Sequence, residues 1–68
     1  MLVYLLDVNK EQLDDIDLPK EDVLGLTIYD EIVINFKMYS IIKKKIYYEE
    51  DDHETYMNYA EFIVAELN

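Results

Sequence analysis

The last stretch of the chain, residues 51–68, reads DDHETYMNYAEFIVAELN. Asp51 and Glu54 stand at the three-residue spacing of a capping box. Tyr56, Tyr59, Ala60, Ile63 and Leu67 then recur at three- and four-residue steps, with Asn58, Glu61 and Glu66 away from that stripe. Acids at the start of such a segment complement the helix dipole. The pattern predicts an amphipathic C-terminal helix with Phe62 exposed on its polar side.

Upstream, the apolar signal has a different period. Residues 1–6 (MLVYLL) are rich in strand formers and read as a buried strand. Asn9 and Gln12 have capping-box spacing, with Leu13 and Ile16 three apart, which predicts a short helix over residues 10–15. Pro19 ends anything before it, because it pushes Leu18 out of the helical region. Residues 14–22 are acidic and turn-rich and read as a loop or one weak helical turn. Residues 23–29 surround the only glycine, Gly25, and read as a second strand. In residues 32–48 the apolar side chains fall all round a helical wheel, whereas a period of two separates Ile32, Ile34, Phe36 and Met38 from Val33, Asn35, Lys37 and Tyr39. The Ile, Val, Tyr and Phe content also favours strand. Near Ser40 the phase shifts to Ile42, Ile46 and Tyr48. Two strands, 31–39 and 42–48, joined by a tight turn or bulge account for this, with one long bent strand as the alternative.

The predicted order is strand, short helix, three strands, helix. It implies an α+β fold: a small, mostly antiparallel sheet of about four strands, with the C-terminal helix packed on one face and the short helix after strand 1. The other sheet face would carry Tyr and Lys.

Sixty-eight residues make a single domain with a thin core. There is no cysteine, so disulfides and thiolate zinc sites are excluded as staples. Hydrophobic residues make up 51%, which argues for a folded domain rather than an acidic tail. No apolar run approaches membrane-spanning length, and residues 1–6 lack the basic flank of a signal peptide. A cytoplasmic protein is expected.

Sixteen acids face six lysines and no arginine, for a formal net charge of -10. Such a field repels nucleic acid and anionic membranes and attracts basic proteins. The acids are unevenly placed. Residues 1–30 hold eight acids and two lysines, residues 31–48 one acid and four lysines, and residues 49–68 seven acids and no lysine. Two clusters stand out: Asp14, Asp15, Asp17, Glu21 and Asp22, and then Glu49, Glu50, Asp51, Asp52 and Glu54. Carboxylates on a rigid scaffold imitate a phosphate row, and the electrostatic part of DNA binding is the part such a mimic exploits. The plain alternative is a solvated surface that aids solubility.

Other chemistries fit less well. Asp15-Ile-Asp17 has the alternation that opens a calcium loop, but no glycine follows where the turn needs one, and residues 49–54 also lack one. His53 beside the second cluster is a lone histidine. Acid–base catalysis by paired carboxylates needs a pocket that shifts one pKa, for which a core this small leaves little room. Ser40 is the only serine and has no histidine near it in sequence. No cofactor, metal or enzymatic activity is expected. Lys43-Lys44-Lys45 pairs with the acids or protects an edge strand. Tyr39, Tyr47, Tyr48 and Phe62 are the candidates for an aromatic hot spot rimmed by acids.

In size, charge and composition the whole chain resembles the small acidic inhibitors encoded by bacteriophages and mobile elements. Among them are DNA mimics that block histone-like HU proteins, uracil-DNA glycosylase, restriction enzymes or CRISPR nucleases. These share no signature motif, so no residue roles carry over. The resemblance implies a stoichiometric inhibitor that occupies the DNA-binding surface of a basic host protein in the host cytoplasm. The residues expected to meet that partner are the two clusters together with Tyr48 and Phe62. An antitoxin-like or adaptor module and a structural homodimer are the alternatives.

Overall fold

The computed structural model describes the backbone of residues 1–50 and 55–67 and the side chains of residues 1–47 and 59–67. Five strands and one short helix follow in the order β1 (Leu2–Leu6), β2 (Gln12–Asp17), α1 (Lys20–Gly25), β3 (Glu31–Ile34), β4 (Lys37–Glu50) and β5 (Thr55–Leu67). The strands form one mixed sheet in the spatial order β2-β1-β5-β4-β3, curled into a half-barrel. β1 runs parallel to β5, and every other pairing is antiparallel.

This overturns the expected C-terminal helix. Residues 55–67 form the central strand, paired with β1 on one side and β4 on the other. Its buried residues are Ala60, Phe62 and Val64, a strict period of two. Two ladders satisfy the backbone of this strand where a helix would satisfy itself. The β-branched and aromatic residues of the segment suit a pleated surface. Phe62, expected on an exposed polar side, is 0% exposed.

The expected helix over residues 10–15 is also replaced by strand. Asp7 settles this locally: its Oδ1 accepts the amides of Asn9 at 2.8 Å and Glu11 at 3.0 Å. This Asx-type turn closes a β1–β2 hairpin through paired backbone bonds between Asp7 and Glu11 and between Lys10 and Asp7. The capping-box spacing of Asn9 and Gln12 loses to it.

The strand expected at residues 23–29 gives way to α1. Pro19 opens this helix instead of closing one, and its carbonyl accepts the amides of Asp22 and Val23. Glu21 and Asp22 fall in the first turn, the favourable end of the dipole. Pro19-Lys-Glu-Asp22 followed three residues later by Gly25 is a helix start-and-stop signal that the strand reading passes over.

In the 31–48 region the strand assignment holds but the turn moves. A two-residue turn lies at Asn35 and Phe36, with φ of 52° and 66°, the double left-handed conformation of a type I′ hairpin. The phase shift near Ser40 is a β-bulge at Ile42, where the β4–β5 register slips between Ile41 and Lys43. Of the expected tight turn or bulge, it is the bulge that lies here, and β4 runs through it as one strand from Lys37 to Glu50.

The core lies on the concave face. It joins Val3 and Leu5 of β1, Tyr39 and Ile41 of β4, Ala60, Phe62 and Val64 of β5, and Val23 of α1. Six residues are too few for an independent helix. Val23, fully buried, seats α1 in the concavity. Lys44 holds its far end: Nζ donates to the carbonyls of Leu24 at 3.3 Å and Leu26 at 2.6 Å. A cation at a helix C-terminus meets both the free carbonyls and the negative end of the dipole. Lys44→Met keeps the aliphatic stem and removes the charge. We expect it to cost about 1–2 kcal/mol, read as a drop in the denaturation midpoint; an unchanged midpoint would mean that the two contacts contribute nothing net.

Candidate functional site

Strand alternation divides the first acidic cluster. Asp15 and Asp17 lie opposite Tyr4 and Leu2 of β1, on the convex face. Alternate residues of a strand stand about 6.7 Å apart, so these two carboxylates form a short, evenly spaced pair. Asp14 belongs to the other face, opposite Leu5. Its Oδ2 accepts the Asn35 amide at 2.8 Å, which ties β2 to the β3–β4 turn across the mouth of the half-barrel. Glu21 and Asp22 stand exposed on α1. The five acids therefore surround the β2 edge on both sides.

Among the described residues these acids meet no lysine within ion-pair distance. The ion pair present joins the Met1 ammonium to Asp17 Oδ1 at 2.8 Å, and the same ammonium donates to the Leu18 carbonyl at 2.7 Å. Among the described residues, the side chains of Asp15, Glu21 and Asp22 make no hydrogen bond, which leaves their charge to solvent or a partner. No three described His, Asp or Glu side chains gather into a group that would hold a metal ion.

The side chains of the second cluster, Glu49, Glu50, Asp51, Asp52 and Glu54, and that of Tyr48 lie outside the described residues. The backbone still relates the two regions. Asp17, Leu2, Tyr59 and Tyr47 form one row across four strands. Glu49 and Glu50 follow Tyr47 along β4, paired with Tyr56 and Thr55, so they lie toward the end of the sheet where Asp17 stands. The two strands are three spacings apart, roughly 14 Å.

The lysines are sorted by the same alternation. Lys44 faces the concave side, whereas Lys43 and Lys45 face outward opposite Ile63 and Glu61. With Lys10, Tyr47 and Glu61 they surround a hollow of about 190 Å³. Tyr47 stacks on Tyr59 with ring centroids 4.4 Å apart, and Tyr59 meets Tyr4 edge-on at 5.7 Å. Partial desolvation and the neighbouring Glu61 carboxylate raise the Tyr47 phenol pKa above its ordinary value. β3 pairs only with residues 37–40, so Lys43, Lys44 and Lys45 stand where β4 has outrun its outer neighbour. Charges there discourage pairing with another chain.

The aromatic contacts are not those the sequence nominated. Phe62 and Tyr39 are core residues. Among the described residues, the most exposed aromatics are Tyr29, at 81%, and the fully exposed Phe36. Both adopt left-handed backbone conformations, φ 73° and 66°, which bulky residues rarely occupy. They stand at the two ends of β3. Such strain costs on the order of 1–3 kcal/mol. At Phe36 the type I′ turn would prefer the glycine of an Asn-Gly pair, and this was the available sequence signal. Phe36→Gly is expected to stabilise the fold by about 0.5–1 kcal/mol, net of the added chain entropy. Weaker partner capture together with a raised midpoint would mark Phe36 as strained for function; a lowered midpoint would show that its side chain supports the fold.

Comparison with protein-family models, with curated proteins and with solved structures returns no match. No helix among the described residues is long and apolar enough to cross a membrane.

Proposed function

We propose that this protein is a non-enzymatic acidic binding protein that acts as a DNA mimic in the cytoplasm, occupying the basic DNA-contacting surface of a partner such as a histone-like nucleoid protein. The observation that carries this reading is the acidic edge formed by β2 and α1, whose Asp15, Glu21 and Asp22 meet no cation among the described residues. A surface serving solubility alone has no need to segregate charge, and it commonly intersperses both signs. Here Lys20 is the one lysine on that edge, at the start of α1; Lys44 clamps the helix, and Lys43 and Lys45 face outward on β4. Asp15 stands free beside Asp17, whose partner is the Met1 ammonium, with Glu21 and Asp22 close along the chain. The exposed Tyr29 and Phe36 supply the apolar contact that charge alone lacks.

The test is capture of a partner from a lysate with the tagged chain, competed with duplex DNA and repeated over a salt series. A mimic releases its partner to DNA and loses affinity steeply with salt. Lysine replacement at Asp15, Glu21 and Asp22 together spares the structural bonds of Asp14 and Asp17, so it should abolish capture at an unchanged fold. A partner retained equally at high salt and in excess DNA would replace mimicry with an adaptor or antitoxin-like role.

A further inference from the structure

The sheet stops short of a barrel, and the gap has a definite chemistry. Its two edge strands, β2 and β3, are not paired with each other. Between them and α1 runs a groove of about 400 Å³. Ile16, Leu18, Leu26 and Ile32 form its apolar surface, and Glu21 and Asp22 stand at its side. The Asn35–Asp14 bond bridges the two sides at one end and fixes their approach. Tyr29 and Phe36, strained and exposed, flank the β3 edge.

We infer that this seam receives an extended peptide segment of a partner, with apolar and basic side chains alternating, which adds as a strand along the open sheet edge. An edge strand offers unsatisfied N–H and C=O groups at strand spacing, and an added strand satisfies them. The period of two then sends one set of side chains into the apolar groove and the other outward. The neighbouring charge favours Lys or Arg and repels Asp or Glu in the second set: its side chains run past Asp15 on the convex face of β2, and Glu21 and Asp22 stand at the side of the groove. This inference rests on the reading of the acidic edge as a surface for a basic partner, and it adds the form in which that partner arrives.

Gly25 provides a clean test. It lines the groove, its φ is not in the left-handed region, and a Cβ built there meets nothing within 4 Å. Gly25→Leu therefore plugs the seam without straining the backbone, and Gly25→Ala serves as the small control. The probe is a short synthetic peptide of alternating valine and lysine, with binding followed by calorimetry. Two further peptides complete the set: one with glutamate replacing lysine, and one N-methylated at alternate amides on the pairing edge.

We expect the valine–lysine peptide to bind the wild-type and Gly25→Ala chains alike. Gly25→Leu, N-methylation and the glutamate exchange should each weaken binding by about tenfold or more. Equal binding by Gly25→Leu with an unchanged denaturation midpoint, or by the N-methylated peptide, would overturn strand addition at this seam. So would no binding at all. A chain that is dimeric alone and becomes monomeric with Gly25→Leu would identify the occupant as a second copy and likewise overturn the proposal. Mimicry is scored separately by DNA competition in the lysate capture. A DNA-displaced partner that Gly25→Leu still captures removes the groove and keeps the mimic. Peptide binding without a DNA-displaced partner does the reverse.

Discussion

Phe62→Ala should leave the chain largely unfolded at ambient temperature. Phe62 is 0% exposed in the central strand and packs in one cluster with Leu5, Ile41 and Val23. Truncating a buried phenylalanine costs about 3–5 kcal/mol in lost transfer energy and cavity formation. A single core in a domain below about 80 residues rarely supplies more than about 3–5 kcal/mol, so the chain has little more than that to lose. Phe62→Leu retains most of the volume and should remain folded with a lowered midpoint. Circular dichroism with chemical denaturation reads both. The experiment also separates the two readings of residues 55–67: on the polar side of a helix Phe62→Ala would be close to neutral, and a neutral result would contradict the sheet register.

Val23→Asp should be comparably damaging by a different route. Val23 is the one residue of α1 that is fully buried, and it points into the concavity among apolar side chains. An aspartate there meets no buried cation. Desolvating an unpaired carboxylate costs several kcal/mol, so the helix leaves the sheet or the chain unfolds; the expected loss is about 3 kcal/mol or more. Hydrogen exchange distinguishes the two outcomes. If only α1 detaches, protection disappears at the Leu26 amide, which is bonded to the Asp22 carbonyl, and survives in the β4–β5 ladder. Survival of α1 protection at the wild-type level would show that the helix is not held through Val23. Detachment would also remove one wall of the groove, so the variant should lose any strand-like ligand along with its stability.

Several features of the candidate site were legible before the fold was known. The acid cluster at residues 14–22 and the lysine triplet at 43–45 are compositional facts, and the structure leaves both on the surface apart from the helix clamp made by Lys44. What they do was not legible. Strand alternation sends Asp14 to one face and Asp15 and Asp17 to the other, and a hydrogen bond to Asn35 makes Asp14 structural. Lys44 parts from its neighbours in the same way. The helical wheel puts Phe62 on the surface, and the exposed aromatics escape notice because a period of two puts Phe36 on a strand face and Tyr29 at a strand end, although Phe36 follows an asparagine suited to a hairpin turn.

By itself the sequence determines the quantity of charge, the absence of thiol chemistry, the strand character of residues 1–6 and much of 31–48, and the local turns built by Asp7 and Asn35. These rest on side-chain chemistry or on interactions within a few residues. The tertiary structure alone decides residues 55–67. Tyr59, Ala60 and Ile63 satisfy a helical period while Ala60, Phe62 and Val64 satisfy a strand period, so the local pattern is degenerate in so apolar a segment. The choice falls to partners distant in the chain. β4 pairs along this strand from Thr55 to Leu67 and β1 along Tyr59–Ile63, and the concave core accepts the side chains at period two. A helix over the same residues would leave Phe62 in water and deprive β1 of its parallel neighbour.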